Sequence, residues 1–463
     1  MRRSNQMLGF KKHHNSLQFN LRRGSNHSAS GSKRLGQAII VFALLINNCV
    51  IAHDQIPGQP QTRPIAIRNA TIHCIDKPVL ENGTIVFDRG KIVAVGKKVK
   101  LPKNVLEIQA EGKHVYPGLI DSLTDLGLRE ILAVEETDDR REFGRENPNV
   151  RSWVAVNPDS ELIPVARAGG VLVAMTAPSG PFIRGQSAVI QLDGWTVEEM
   201  MLSGPAGLFV DWSSVHPRDS NDSKRRQERE RRLEELDELL GAVRLYAKGR
   251  QSSEEFVTNV RLESPLPLIN REMPLIAHAD LQSEIESAVT YAVSQNLDLI
   301  IYGGYDAERC SELLKQHRVP VIIASTYRLP LRRDDPYDHA YTLPSRLKRA
   351  GVTFSIGGPG LSGPGGSASA RNLPYHAAVA SAFGLSEEQA VEAITLSAAK
   401  ILKLEDRIGS ITPEKDATLI IADGNILETE TNVVDAYIQG RKVDLGSRHK
   451  MLNEKYLKKY SSR

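Results

Sequence analysis

The stretch "PLIAHAD" sets His278 two residues before Asp280. An imidazole gains and loses a proton near neutral pH, so His278 is a candidate general base. Residues two apart in a strand share a face, which would let Asp280 orient the ring. At the start of a following helix, Asp280 would serve as its cap instead. The plainer reading of a lone histidine is a hydrogen-bonded structural residue. A second stretch, "VYPGLIDSLTDLGL", carries Asp121, Ser122, Thr124 and Asp125, and Glu130, Glu135 and Glu136 follow. Carboxylates alone can hold calcium or magnesium. "EETDDRREFGRE" mixes both charge signs, however, and better fits a solvated loop and helix start. Ser122 has no recognisable His/Asp partner for nucleophilic work, and no G-x-S-x-G elbow occurs. A third stretch, "GGPGLSGPGG" (Gly357–Gly366), could cradle an anion with backbone N–H groups. No GK[ST] follows and two prolines remove donors, so a lid or plug is the better expectation.

The elements that must position these residues follow from patterning. Short alternating runs, "IAIRNATIHCI", "GTIVFDRGKIVAVG" and "VLEIQA", predict a small antiparallel sheet with a tight turn at Asp88–Gly90. Continuous apolar runs then alternate with helical stretches: "GGVLVAMTA", "GLFVDW", "MPLIAHAD", "LDLIIYGG", "VPVIIAST" and "GVTFSIGG". Such runs with helical crossovers mean a parallel sheet covered on both faces. Their number and span fit a closed (β/α)8 barrel. Alternating sequence returns in "GSITPEKDATLIIADG" and "NVVDAYIQGRKVDL". The expected α/β architecture is a TIM-like barrel inserted in a small β-sandwich formed by both flanking segments.

The boundaries read as follows: 1–52 a signal peptide, 53–63 a linker, 64–115 and 405–446 the two parts of the sandwich, 116–404 the barrel, and 447–463 a basic tail. Within the barrel, 213–262 is a charged helical insertion. Its Leu233, Leu236, Leu239 and Leu240 form a narrow apolar stripe. A docking helix is one reading, and a solvated surface helix laced with i,i+4 ion pairs is the preferred one.

The formal charge of the 463 residues is +3, but residues 1–52 hold eight Lys or Arg and no acid. Without them 51 basic residues face 56 acidic ones, so the body of the chain gives no reason to expect nucleic-acid binding. A basic region ending at Lys33 and Arg34, the apolar run "AIIVFALLI" and the small-residue end "VIA" read as a cleaved export signal. Nine apolar residues cannot span a bilayer as a helix, which needs about 20. The expected location is the periplasm or the exterior, with no stable membrane span after cleavage. Beyond the signal only Cys74 and Cys310 remain, too few and too far apart for a disulfide framework.

Taken together, "RNATIHCIDKPVLENGTIVFDRGKIVAVG", "VYPGLID" and "EEQAVEAITLSAAKILKLEDRIGSITPEKDATLIIADGN" resemble the two ends of the amidohydrolase superfamily. "NPDSELIPVARAGGVLVAM", "PFIRGQSAVIQLDG" and "PLIAHADLQSEI" resemble its imidazolonepropionase-like branch. The resemblance runs from about Pro64 to Leu445 and identifies a fold and an ancestry, not a substrate. It implies hydrolysis of carbon–nitrogen bonds, as in cyclic amides or dipeptide-like compounds. It also implies zinc or another divalent metal at the C-terminal face of the barrel, where the ion lowers the pKa of a bound water toward about 7.

The implied ligands are a His-x-His pair ending strand one, a lysine or carboxylate from strand four, histidines ending strands five and six, and an aspartate ending strand eight. Carried over one at a time, the pair falls on Ser122 and Thr124, the strand-four lysine on Phe209, and the strand-six histidine on Gly303. The strand-eight aspartate should follow "GVTFSI", where Gly357 and Gly358 stand. No Asp or Glu occurs from Val352 to Ser386. Only the strand-five histidine, His278, is kept. A catalytic zinc needs three protein ligands plus water. The expectation is therefore no metal site of the family's type and no cofactor. Two functions remain open: a hydrolase working without metal around His278 and Asp280, or a catalytically inactive derivative that binds a small molecule or a partner protein. Homo-oligomerisation is left open.

Overall fold

A computed structural model describes residues 56–131, 133–215, 223–252, 256–358, 360 and 366–461. The chain divides into two units, 1–53 and 54–463, and all described residues belong to the second. The signal-peptide reading and the start of the linker lie outside the described residues.

Sixteen strands form two eight-stranded sheets among the described residues. The first five are β1 (Ile65–Ile72), β2 (Leu80–Asp88), β3 (Lys91–Gly96), β4 (Leu106–Gln109) and β5 (His114–Pro117). The next eight are β6 (Leu119–Thr124), β7 (Val171–Thr176), β8 (Ile183–Gln191), β9 (Met201–Asp211), β10 (Leu275–Ala279), β11 (Leu299–Gly303), β12 (Val321–Ile323) and β13 (Phe354–Ile356). The last three are β14 (Leu419–Ala422), β15 (Val433–Ile438) and β16 (Arg441–Val443).

Both chain flanks build the first sheet. β1 and β2 pair antiparallel, and β2 turns into β3 through Arg89 and Gly90, both at positive φ (49° and 78°). Two successive residues of that kind give the turn that matches strand twist in a tight hairpin. β1 then splits its other edge: Ile65–Arg68 pair with β4, while Thr71 and Ile72 pair with β5. This division opens the sheet into a sandwich-like layer around Ile67, Ile85, Phe87, Val115, Leu419 and Tyr437. The C-terminal flank joins where Leu419 pairs with Pro117 and Ile421 with Val115.

The second sheet is the barrel, ordered β6 to β13 without crossovers. Seven strands are parallel, but β8 runs antiparallel to both β7 and β9. A fully parallel set was the expectation from the sequence. Only six residues separate Thr176 from Ile183 and nine separate Gln191 from Met201. A parallel crossover needs a dozen or more, so "PFIRGQSAVIQLDG" must return as a hairpin. The seam between first and last strands carries the hydrogen bond from Ser122 Oγ to Ser355 Oγ, 2.9 Å, fully buried.

Side chains alternate between two cores. Val173, Met175, Val189, Phe209, Ile276, Ile300 and Tyr302 fill the barrel interior. Their strand neighbours face the helices in the main cluster. The charged insertion forms the helix Ser223–Ser252. It is more than a surface element, because Leu236, Leu240 and Val243 are fully buried in the main core. Its outer faces carry the pairs Arg232–Glu228 (2.6 Å) and Arg231–Glu235 (3.1 Å), spaced i,i+4. The basic tail contains the helix Arg448–Ser461, which buries no residue. Cys74 and Cys310 are free and buried. No described helix is long and apolar enough to cross a membrane.

Candidate functional site

The C-terminal ends of the barrel strands gather the residues singled out above. His278, the penultimate residue of β10, points inward, its ring 5.3 Å from that of Tyr302. Strand register sets it opposite Asp211, the last residue of β9. Asp211 Oδ1 lies 3.6 Å from His278 Nδ1. Its Oδ2 receives the Arg184 guanidinium at 2.9 Å, and Ser213 Oγ donates to Oδ1 at 2.7 Å. Burial alone would raise the Asp211 carboxyl, but His278 and Arg184 outweigh it and hold the group well below the usual carboxylate range. Arg184 also lies over the Phe209 ring, 4.6 Å from its centre, adding a cation–π contact.

Asp280 is placed differently from the expectation that it orients the imidazole or caps the next helix. Its two oxygens accept from Arg328 at 2.7 Å each, and one accepts the Tyr305 N–H at 3.3 Å. The strand ends at Ala279, so period-two alternation no longer governs position 280. Burial pushes against ionisation there, yet the bidentate Arg328 contact keeps the Asp280 carboxyl below its ordinary range.

Gly303 does not occupy the inward position ending β11. A side chain there would run into Asp280 Oδ1 and Ala279 O, at 2.7 and 3.1 Å. Its neighbour Tyr302 faces inward, fully buried and edge-on to Phe209 with ring centres 5.8 Å apart. On β6, the register slips between Asp121 and Thr124, and Leu123 joins the interior cluster. Ser122 is committed to the seam with Ser355, and Thr124 is buried.

The carboxylates on and after β6 divide by burial, with Glu130 half-buried between the extremes. Glu135 and Glu136 are exposed, as a solvated segment would be. Asp121 and Asp125, upstream of the mixed-charge segment, are buried. Burial pushes the Asp121 carboxyl up to about 7, against a hydrogen bond from Gly358 N at 3.3 Å. Asp125 pairs with Arg140 at 3.0 Å, and Arg140 also grips Asp138 at 2.6 Å. The glycine-rich stretch therefore gives a donor to Asp121. Gly360 sits so tightly that a Cβ would meet Leu123 O and Tyr302 Oη at 2.7 and 2.8 Å. Residues 359 and 361–365, the rest of the anticipated plug, lie outside the described residues.

Three carboxylates at strand ends thus face three arginines: Asp125 with Arg140, Asp211 with Arg184, and Asp280 with Arg328. Sequence reading missed Asp211 and Tyr302. Alternation from Phe209 would have put Asp211 on the inward face two residues on. The arginine partners come from other strands and loops, and no local spacing announces them. Among the described residues, no three His, Cys, Asp or Glu side chains converge as metal ligands. Among the described residues the family's divalent ion would find the imidazole of His278 beside Asp211, a carboxylate already engaged by a guanidinium, while Asp121 lies against the Gly358 backbone without a histidine partner. That donor set does not fit the ion.

Comparisons with known proteins identify the family. The amidohydrolase family model matches residues 207–444. A crystal structure of an amidohydrolase from Thermotoga maritima MSB8 is similar with a TM-score of 0.72 and 26% identity, over 82% of this chain and 99% of that one. A prolidase complexed with N-methylphosphonate-L-proline is similar in fold at 16% identity and a TM-score of 0.52, over 82% of this chain and 99% of its own. A molinate hydrolase is similar in fold at 15% identity and a TM-score of 0.51, over 84% and 96%. The search of curated proteins returned no match. With more than half of its length under the family model and its barrel and flanking sheet in the family's order, the chain belongs to the amidohydrolase family, and the imidazolonepropionase-like branch of the superfamily fits it.

Proposed function

We propose that this protein is an exported amidohydrolase-family member that has given up metal-dependent hydrolysis of carbon–nitrogen bonds and uses the barrel mouth to bind a small molecule. The observation that carries this reading is the replacement of ion–ligand pairing by arginine–carboxylate pairing. Arg184 neutralises Asp211, Arg328 neutralises Asp280 and Arg140 neutralises Asp125. A guanidinium supplies positive charge and directional donors but offers no open coordination position for a water. Phe209, Tyr302 and Leu123 fill the inner space with apolar and aromatic surface. The polar rim and aromatic floor suit a ligand carrying an amide or carboxylate group.

Elemental analysis of purified protein is expected to give well under one zinc, manganese or iron per chain. Parallel screens with cyclic amides and dipeptides are expected to give no turnover sensitive to chelator. Stoichiometric metal together with chelator-sensitive hydrolysis would overturn the reading.

The Asp211–His278 pair favours one second reading, acid–base hydrolysis without metal. Under that reading His278→Ala abolishes a turnover that chelators leave intact. Unchanged turnover in the variant removes His278 as the base.

A further inference from the structure

The opposite end of the barrel holds a cavity of about 500 Å³ beneath the starts of β10 to β13, where Pro274, Leu299, Pro320 and Thr353 line it. This is the size of a small-ligand site. It is remote from the mouth, and it is independent of the function proposed above. Val289, Val293, Leu297 and Ile401 give it an apolar wall. Its charged residues are Arg271, Arg318, Lys400 and Lys403 against the single acid Asp298. Asp298 is already engaged by Arg271 at 2.6 Å and Lys403 at 3.3 Å. Arg318 and Lys400 are solvent-exposed at the rim of the same cavity, outside any ion pair among the described residues.

The backbone adds a second, independent observation. Arg271, Arg318 and Lys403 hold φ of 61°, 54° and 56°. Each lies within two residues of a helix end: Leu266–Ile269, Ser311–Gln316 and Leu396–Ile401 respectively. Glycine is the residue that takes this left-handed conformation without steric cost, and it is the usual choice at such a position. Favourable charge at a helix C-terminus explains one basic residue per helix. It does not explain why three basic residues, among the four left-handed positions that line the cavity (Asn296, φ 56°, is the fourth), converge there with Lys400. Strained residues persist where surrounding structure holds them for a purpose.

We infer that this basic-rimmed cavity at the barrel floor binds an organic anion with an apolar body, its carboxylate or phosphate head set between Arg318 and Lys400. The apolar body would cover Val289, Val293 and Leu297, and the head would meet cations that no internal carboxylate claims.

Calorimetric titration of the full chain with decanoate and with octyl phosphate tests this, with octyl glucoside as the neutral control. Saturable one-to-one binding of either anion is expected, falling with added salt, while octyl glucoside gives none. Whichever anion binds more tightly identifies the head group. The Arg318→Gly/Lys400→Ala variant should weaken binding at least about tenfold. Arg318→Gly alone should raise the melting temperature, because glycine relieves the backbone, so loss of binding cannot be blamed on unfolding. The inference fails if neither anion binds, if octyl glucoside binds equally, or if the double variant binds as the parent does.

Discussion

Asp211 lies between an imidazole and a guanidinium: one oxygen is 3.6 Å from His278 Nδ1 and the other 2.9 Å from Arg184. Arg184 is 8% exposed at the side chain, so its charge depends on this carboxylate. Removing one member of a buried pair leaves the other uncompensated and costs about 3–5 kcal/mol. Asp211→Ala should therefore lose close to the lower figure in urea unfolding, with the slope against denaturant unchanged. Adding Arg184→Met should recover most of the loss, because no orphan charge then remains.

The serine pair on the barrel seam gives a second expectation. Ser122 Oγ and Ser355 Oγ are fully buried partners. Ser122→Ala leaves a hydroxyl unsatisfied and should cost about 1–3 kcal/mol, whereas removing both hydroxyls can be nearly neutral. A double-mutant cycle in denaturant checks this. Additive losses would mean that the two hydroxyls do not depend on each other.

The insertion helix offers a test of its part in the core. Leu240→Ala deletes a fully buried side chain and should cost about 2–5 kcal/mol. Substitution of Arg226 on the exposed surface of the same helix should stay within about 0.5 kcal/mol. Equal effects from the two sites would show that the helix does not bear on the barrel.

Acid sensitivity should trace partly to His376, on the helix Leu373–Ala382. Burial lowers its pKa to about 4, and Thr326 Oγ1 lies 3.1 Å from its Nδ1. The unfolded chain takes up a proton near pH 6.5, while the folded chain does so only near pH 4. Stability from this residue is therefore fully present above pH 6.5 and is lost as pH falls from there toward about 4. The total is on the order of 3 kcal/mol. His376→Gln should flatten the loss of melting temperature over that interval. Parallel curves for parent and variant would rule the residue out as the source.

The sequence made the barrel and the flanking sheet legible because their signals are local. Continuous apolar runs mark buried strands, and alternating runs around a turn such as Asp88–Gly90 mark hairpins. The reversed strand β8 was hidden, because direction depends on connection length rather than on composition. Gly303 was taken for the inward position where Tyr302 stands: one residue of slip in a strand moves a side chain to the other face. His278 was readable from "PLIAHAD". Its carboxylate neighbour was not, because Asp211 reaches it across a strand pairing between residues 67 positions apart. Arg184 comes from β8, and Arg328 and Arg140 come from loops, so no local spacing announced them.

The pairing of Ile421 with Val115 also constrains how the molecule is made. When β1 to β5 leave the ribosome, the edge that β14 will cover stays bare until roughly three hundred further residues have been synthesised. During that interval β5 presents unpaired backbone groups, a template for association with other chains. Closing so long a loop also slows the final step of folding. A chain shortened before Leu419 would keep every barrel strand yet leave this edge permanently open, making early termination a route to aggregation rather than to a smaller working protein.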